Sequence, residues 1–228
     1  MAPDDQLLQA ATHGDILRAQ EAIKRGANVN AKDSCGSTPL HTAAEFGSID
    51  VAKLLIEKGA SVNSKDSFGF TPLHTAAESG SVDIATLLVT KGADINAKDR
   101  FGCTPLHLGI SNNRPGLLAQ LLVYGADANM NDSFGSTPLH WAACYKNPGI
   151  ARLLLDNGAD IKAKDGTGRT PLALAVEYNR PEVAGTLRKE TDHQRKQGVT
   201  FALQVPRPKA THSEDAAHRK ANAGLPDH

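Results

Sequence analysis

A short motif, Thr-Pro-Leu, recurs five times in this chain at a constant spacing of 33 residues. The copies begin at Thr38, Thr71, Thr104, Thr137 and Thr170; His follows the first four copies and Ala follows the fifth. A period held this strictly across most of a chain is typical of stacked repeats, in which each unit contacts only its neighbours. The spacing therefore predicts a stacked-repeat architecture.

The residues around each copy predict two helices. In the copy at Thr71, the Thr hydroxyl can cap a helix, and Pro72 suits the first turn because no amide donor is needed there. Gly80 is placed to end this helix in a left-handed conformation, and a second helix is expected from Val82. The equivalents of Gly80 include Lys146, a residue that adopts this conformation less readily than Gly or Asn.

A turn signature, Asp-x-x-Gly, precedes every copy of the motif and predicts a projecting hairpin, as between Asp66 and Gly69. Thr-Pro-Leu-His, the paired alanines and the closing Gly-Ala recur in register with it. Together these motifs resemble the ankyrin repeat family over residues 1 to about 190. The resemblance implies an all-α solenoid of helix-turn-helix units with projecting β-hairpins, and a non-enzymatic scaffold that binds other proteins.

Counting back 33 residues from Thr38 reveals a first unit that lacks Thr-Pro, so six repeats are expected. We assign residues 1–33 to an N-terminal capping repeat, 34–165 to four internal repeats and 166–190 to a C-terminal capping repeat. Glu21 and Arg188 occupy columns that are apolar in the other repeats, as the outer faces of end repeats require, so we expect a complete solenoid.

Residues 191–228 lack the repeat signs and are expected to form a flexible tail. Within it, residues 198–205 alternate apolar and polar side chains like a short strand that could pair with a partner. Loose packing on the last repeat, or no structure, is the alternative. The polar stretch from Thr211 to His228 is expected to be disordered.

Repeat four departs most from the common pattern. Gly109 and Ile110 replace an Ala-Ala pair, Gln120 replaces a core Leu, and Gly116 lies early in the second helix. Because Gly within a helix costs about 1 kcal/mol relative to Ala, the sequence predicts the lowest local stability here. Sequence drift in a tolerant fold and a functional hinge are the two explanations.

Composition limits the classes of partner and compartment. Lys+Arg and Asp+Glu both total 25, so the chain lacks the strong basic field that nucleic-acid binding needs. The three cysteines, Cys35, Cys103 and Cys144, form no close pair and favour a reducing compartment. No secretory signal and no apolar run of about 20 residues is found. We expect a cytoplasmic protein, with the nucleus as a second compartment, that neither inserts into membranes nor binds specific nucleic acids.

No residue pattern predicts catalysis. The recurring His and Asp residues belong to the repeat itself, and we expect structural hydrogen bonds from them. The sequence offers no nucleophile paired with a base, no phosphate-binding loop and no metal-ligand cluster, so we predict no catalytic residue, metal or cofactor.

The resemblance also implies where partners bind: at the hairpin tips and at the exposed side of the first helices, which line a concave groove. Carried onto this chain, these columns give the candidate residues Glu45, Phe46, Phe68, Phe70, Glu78, Arg100, Phe101, Phe134, Tyr145 and Tyr178. Phe68, Phe101 and Phe134 share one hairpin column and should form an exposed row, since aromatic anchors supply much interface energy. Packing of each ring on the next hairpin is the alternative.

Two further columns have competing interpretations. Trp141 lies where related repeats carry an apolar residue, which favours packing between repeats over partner contact. Asn63, Asn96 and Asn129 recur in the hairpins, where a structural role is expected. The family resemblance offers modification by an intracellular asparaginyl hydroxylase as the alternative.

The function predicted from these observations is that of a monomeric adaptor, inhibitor or assembly factor with an unidentified protein partner. A second hypothesis assigns binding to the tail, with nucleic acid or an anionic membrane as its target and the repeats as a separate recruitment module. The tail residues 191–228 carry a net charge of only 6 − 4 = +2, so the sequence supports this alternative weakly.

Overall fold

The computed structural model describes the backbone of residues 1–204 and the side chains of residues 1–196. Within this range the chain forms twelve α-helices and no β-strand. Met1–Glu190 forms one compact unit. The helices are α1 (Pro3–His13), α2 (Ile16–Lys24), α3 (Pro39–Phe46), α4 (Ile49–Glu57), α5 (Pro72–Ser79), α6 (Val82–Thr90), α7 (Pro105–Ser111), α8 (Pro115–Val123), α9 (Pro138–Cys144), α10 (Pro148–Asp156), α11 (Pro171–Glu177) and α12 (Pro181–Gln204).

The Thr-Pro motif starts the first helix of five repeats, as predicted. In repeat three, Thr71 is the N-cap in an extended conformation and Pro72 is the first helical residue. The backbone N–H of Thr71 donates to His74 Nδ1 at 3.1 Å, which completes a capping box with the Thr hydroxyl. His74 Nε2 then donates to the carbonyl of Cys103 in the next repeat at 3.1 Å. The motif therefore starts a helix and forms a hydrogen bond between two repeats.

Successive first helices pack more closely than successive second helices. The reason is their buried alanines, since Ala43, Ala44, Ala76 and Ala77 let neighbouring backbones approach. The second helices contribute larger buried side chains, such as Leu55 and Leu88. First helices thus line the inner face of the repeat stack, and second helices form its outer layer.

The helix ends follow the expected pattern with one exception. Gly80 is left-handed with φ of 85°, and Asn113 and Asn179 reach φ of 53°. Lys146 does not adopt this conformation: helix α9 ends at Cys144, and Tyr145 is extended with ψ of 162°. Helices α7 and α11 end at the equivalent residues, Ser111 and Glu177, so the difference lies in the extended backbone of Tyr145. A lysine side chain disfavours the left-handed region, and the chain avoids that conformation here by becoming extended one residue earlier.

The expected β-hairpins are compact turns, and residues 1–204 contain no strand. Asp66 organises one such turn, because its Oδ1 accepts hydrogen bonds from the backbone N–H groups of Phe68 and Phe70. Between neighbouring turns, Arg100 N–H donates to the Phe68 carbonyl at 3.0 Å. One such bond recurs between consecutive turns from repeats two to six, too few for a β-ladder.

The hairpin asparagines form hydrogen bonds between neighbouring repeats. Asn63 Nδ2 donates to the Gly92 carbonyl at 3.1 Å, and its Oδ1 accepts from the backbone N–H of Asp94 at 2.8 Å. Asn30 and Asn129 make the same pair of bonds to their own next repeats. The structural role predicted for this column is confirmed, and hydroxylation stays a prediction.

The C-terminal region differs from the sequence-based prediction. Residues 198–204 continue helix α12, so the short strand expected there is wrong. Their alternation of apolar and polar residues was too short to distinguish a strand from a helix extension. Residues 205–228 lie outside the described chain, and so does the predicted disorder from Thr211. The two polar capping residues, Glu21 and Arg188, are exposed as expected.

Repeat four has Gly109 at a position where the other repeats carry Ala. A Cβ added to Gly109 would lie 2.8 Å from Leu118 Cδ2, closer than carbon atoms normally approach. Leu118 is completely buried. Gly109 therefore provides the space that the Leu118 side chain occupies.

Candidate functional site

The large apolar side chains exposed on the hairpin turns are Phe68, Phe101 and Phe134. They are 55%, 56% and 72% exposed. Phe68 lies 6.5 Å from Phe70 between ring centroids at a tilted angle, and among the described residues no aromatic ring stacks on Phe101 or Phe134. The three predicted row residues therefore present most of their ring area outward at equivalent positions of repeats three, four and five.

Phe70 differs from this row. It is partly buried, and its ring stacks on His74 with centroids 5.5 Å apart and an interplanar angle of 15°. Its carbonyl also accepts a hydrogen bond from His41 Nε2 at 2.9 Å. The structure thus places Phe70 in the contacts between repeats two and three.

The remaining predicted residues of repeats two to four are exposed. Glu45 and Phe46 are at the end of helix α3, Glu78 is near the end of α5, and Arg100 is in the turn before α7. The Glu78 carbonyl accepts from Arg114 Nε at 3.2 Å, so its backbone is held while its carboxylate stays exposed. These four side chains are exposed at first-helix ends or in a turn.

An open cavity of about 430 Å³ lies between repeats five and six. It brings together three predicted residues, Phe134, Tyr145 and Tyr178, with Trp141 as a fourth aromatic wall. Trp141 is partly buried and meets the edge of His107 in repeat four at 5.3 Å, which confirms the predicted packing between repeats. Sequence reasoning missed its second role as a wall of the cavity. The sequence signal for this role was a Tyr at the same position of repeats five and six, Tyr145 and Tyr178, close to the only Trp in the chain.

Charged groups at this cavity are held by internal hydrogen bonds. Trp141 Nε1 donates to Asp132 Oδ2 at 2.9 Å. Arg169 Nε donates to Asp165 Oδ2 at 3.0 Å, and Arg169 Nη1 lies 3.3 Å from the Glu177 carboxylate. Burial opposes ionisation of Asp165, but hydrogen bonds from Thr167 and Arg169 outweigh it and hold the pKa of this carboxyl below its usual range. Both buried aspartates are therefore fixed in place.

Burial sets the protonation chemistry of His107, Cys103 and Cys144. Burial lowers the pKa of His107 to about 4, so its imidazole is neutral at pH 7. Burial, together with the neighbouring Asp99 and Asp132, raises the pKa of Cys103 to about 12, which keeps the thiol protonated. Burial also raises the pKa of Cys144. Cys35 is exposed in the first hairpin turn.

Two features of membrane and metalloproteins are absent from the described part of the chain. No helix there is long and apolar enough to cross a bilayer. No group of three His, Cys, Asp or Glu side chains there is arranged to hold a metal ion.

Paired helices with an inner layer of first helices, hairpin turns and cross-repeat hydrogen bonds define the class of this protein as an α-helical solenoid. A sequence model of the family described as "Ankyrin repeats (3 copies)" matches residues 7–99, 71–132 and 106–197. The chain belongs to the ankyrin-repeat family. No curated protein matches the sequence. Ankyrin repeats are generally modules for protein–protein interaction, and they are typically non-enzymatic scaffolds.

Proposed function

We propose that this protein is a monomeric, non-enzymatic scaffold that binds another protein through its hairpin turns and the inner face of its first helices. The partner would be held by the aromatic side chains of this surface, and the protein would act as an adaptor, an inhibitor or an assembly factor. We place it in the cytoplasm or nucleus.

One observation carries the proposal: the exposed aromatic side chains are concentrated on one side of the repeats. Phe46, Tyr145 and Tyr178 at the first-helix ends join the row of Phe68, Phe101 and Phe134, and all six are more than a third exposed. The one other large aromatic residue with comparable exposure in the described chain is Tyr124, which caps a second helix. Aromatic residues placed together on a surface commonly anchor protein interfaces.

The mechanism is preorganisation. The turns that carry the Phe row are fixed by the Asp66-type hydrogen bonds within each repeat and by one bond to the next repeat. Little conformational entropy is therefore lost when a partner docks, and more of the contact energy appears as affinity.

Affinity capture with quantitative mass spectrometry tests this proposal. The test variant is Phe68→Ala/Phe101→Ala/Phe134→Ala. The matched control, Leu17→Ala/Val123→Ala/Tyr124→Ala, removes three exposed apolar side chains from the second-helix side. We expect partners recovered by the wild type and by the control to be depleted about tenfold or more with the test variant, because aromatic anchors dominate interface energy.

Circular dichroism and thermal melting must match among the three proteins for this comparison to be valid. Equal recovery by the test and control variants would contradict the proposed surface. Partners lost only when the chain is shortened to Glu190 would assign binding to the tail.

A further inference from the structure

The cavity between repeats five and six has walls suited to a cation. Four aromatic residues line it: Phe134, Trp141, Tyr145 and Tyr178. The faces of aromatic rings carry partial negative charge and attract ammonium or guanidinium groups, most strongly where water is partly excluded. Three of these side chains are exposed enough to meet a ligand, while Trp141 is held in place by its bond to Asp132.

The ionised groups that line the cavity add to this preference. Asp132 and Asp165 contribute two negative charges and Arg169 one positive charge, a net charge of −2 + 1 = −1. Glu177 pairs with Arg169 and brings a further negative charge to the rim. Both ring nitrogens of His140 are occupied by backbone groups, since Nδ1 accepts from the Thr137 N–H at 3.1 Å and Nε2 donates to the Arg169 carbonyl at 3.0 Å.

The indole donor and two nitrogens of the guanidinium group at this cavity already donate to carboxylates. Arg169 donates to Asp165 and Glu177, and the Trp141 indole N–H donates to Asp132. An incoming carboxylate or phosphate would compete with these carboxylates for Arg169 and would meet a site of net negative charge. A cation does not compete for Arg169, because it approaches the aromatic faces directly.

We propose that this cavity binds an arginine side chain of the partner protein. A guanidinium group is planar and weakly hydrated, so it stacks on aromatic faces at a smaller desolvation cost than an ammonium group. The volume of about 430 Å³ also admits the backbone on either side of the arginine. This inference rests on the proposed function, since it names the chemistry that the inner face recognises.

The cavity contains its own probe, because Trp141 is the only tryptophan in the sequence. Its fluorescence is titrated with acetyl-Gly-Arg-Gly-amide and with the citrulline analogue, which has the same shape without the charge, at constant ionic strength. We expect a saturable change with the arginine peptide and binding about fivefold weaker for the citrulline peptide, since a cation–π contact supplies that difference. Equal responses to the two peptides, or no response to either, would overturn the proposal.

Two variants locate the binding. Tyr178→Ala removes an exposed cavity wall, and we expect it to weaken binding of the arginine peptide about threefold or more. Glu177→Gln removes a negative charge from the rim, and we expect it to weaken binding of the arginine peptide but not binding of the citrulline peptide. The controls are Tyr124→Ala and Glu57→Gln, which change exposed residues of the second-helix layer. Wild-type affinity in both test variants would place the arginine elsewhere and overturn the assignment.

The outcome separates this inference from the proposed function. If the Phe68→Ala/Phe101→Ala/Phe134→Ala variant loses its partners while Trp141 shows no preference for arginine, the interaction surface stands and the arginine site is overturned. If Trp141 responds selectively to arginine while that variant keeps its partners, the cavity is supported and the wider aromatic surface is overturned.

Discussion

Repeats three and four fill the same space between their two helices in different ways. In repeat three the facing positions are Ala76 on the first helix and Ala85 on the second, and the other regular repeats also carry Ala at both. In repeat four the pair is Gly109 and Leu118, where the glycine lacks the one carbon that would meet the leucine at 2.8 Å. Volume lost on one helix is regained on the other.

This difference shows why residues of a repeat should be compared in pairs. Taken alone, Gly109 predicts a weak helix, because Gly costs about 1 kcal/mol relative to Ala. Taken with Leu118, it belongs to a packed contact whose buried leucine offsets that cost. The predicted stability minimum in repeat four stays a prediction, while the energy of the Gly109–Leu118 contact can be measured by substitution.

Leu118→Ala should have the largest effect. It leaves Gly109 facing an empty space, and we expect a loss of about 3 kcal/mol in the free energy of unfolding, as for other large-to-small core substitutions. Urea denaturation at pH 7 followed by circular dichroism measures it. A loss below about 1 kcal/mol would show that the neighbouring side chains collapse into the cavity.

Acid should destabilise repeat four through His107. The folded pKa is about 4, below the ordinary value of 6.5, so between these values the unfolded chain binds a proton that the folded chain does not. Stability is therefore full above pH 6.5 and falls as the pH is lowered toward 4, by at most about 3 kcal/mol from this group. Urea denaturation across this range measures the loss.

The variant His107→Ala tests the assignment, since repeat six carries Ala173 at this position. Its stability should depend less on pH between 6.5 and about 4 than that of the wild type. His74→Ala is the comparison variant in repeat three, because burial also lowers the pKa of His74. An unchanged pH dependence in His107→Ala would contradict the assignment.

Gly109→Ala should have a smaller effect. The added methyl group forces Leu118 or Leu117 to move, which costs about 1–3 kcal/mol, while better helix propensity returns about 1 kcal/mol. We expect a net loss of about 1 kcal/mol, measured by the same denaturation. A stabilised variant would mean that the leucines have free space to move into.

The double variant Gly109→Ala/Leu118→Ala recreates the Ala-Ala pair of repeat three. Because the new methyl group enters the space left by Leu118, its stability loss should be smaller than the sum of the single losses by about 1 kcal/mol. A double-mutant cycle at pH 7 gives this coupling energy. Additive losses would show that the two positions do not share one contact.

Local chemistry made much of the fold predictable. A Thr-Pro pair with His three residues after the Thr specifies a helix start through a few short-range hydrogen bonds, as at Thr71 and His74. The same holds for Asp66, which bonds to backbone groups two and four residues ahead. The exposed row of Phe68, Phe101 and Phe134 was predictable as well, because equivalent columns face the same way in a regular stack.

Other features depend on groups far apart in the sequence or on weak local signals. The extended conformation of Tyr145 after α9 is accompanied by a hydrogen bond across repeats, in which Arg180 Nε donates to the Cys144 carbonyl at 2.7 Å. The continuation of α12 to Gln204 was hidden by an alternation that suits more than one structure. The contact of Gly109 with Leu118 could have been found by comparing both columns together.

The sequence by itself determined the period, the helix starts, the turn chemistry and the outward direction of the hairpin aromatics, because each depends on interactions within one repeat or on a pattern common to all. Only the tertiary structure decided that Phe134, Trp141, Tyr145 and Tyr178 line one cavity, and that Arg169 is already paired there. The physical reason is that a cavity depends on how two repeats stack and which rotamers their side chains adopt, and neither is specified by spacing along the chain.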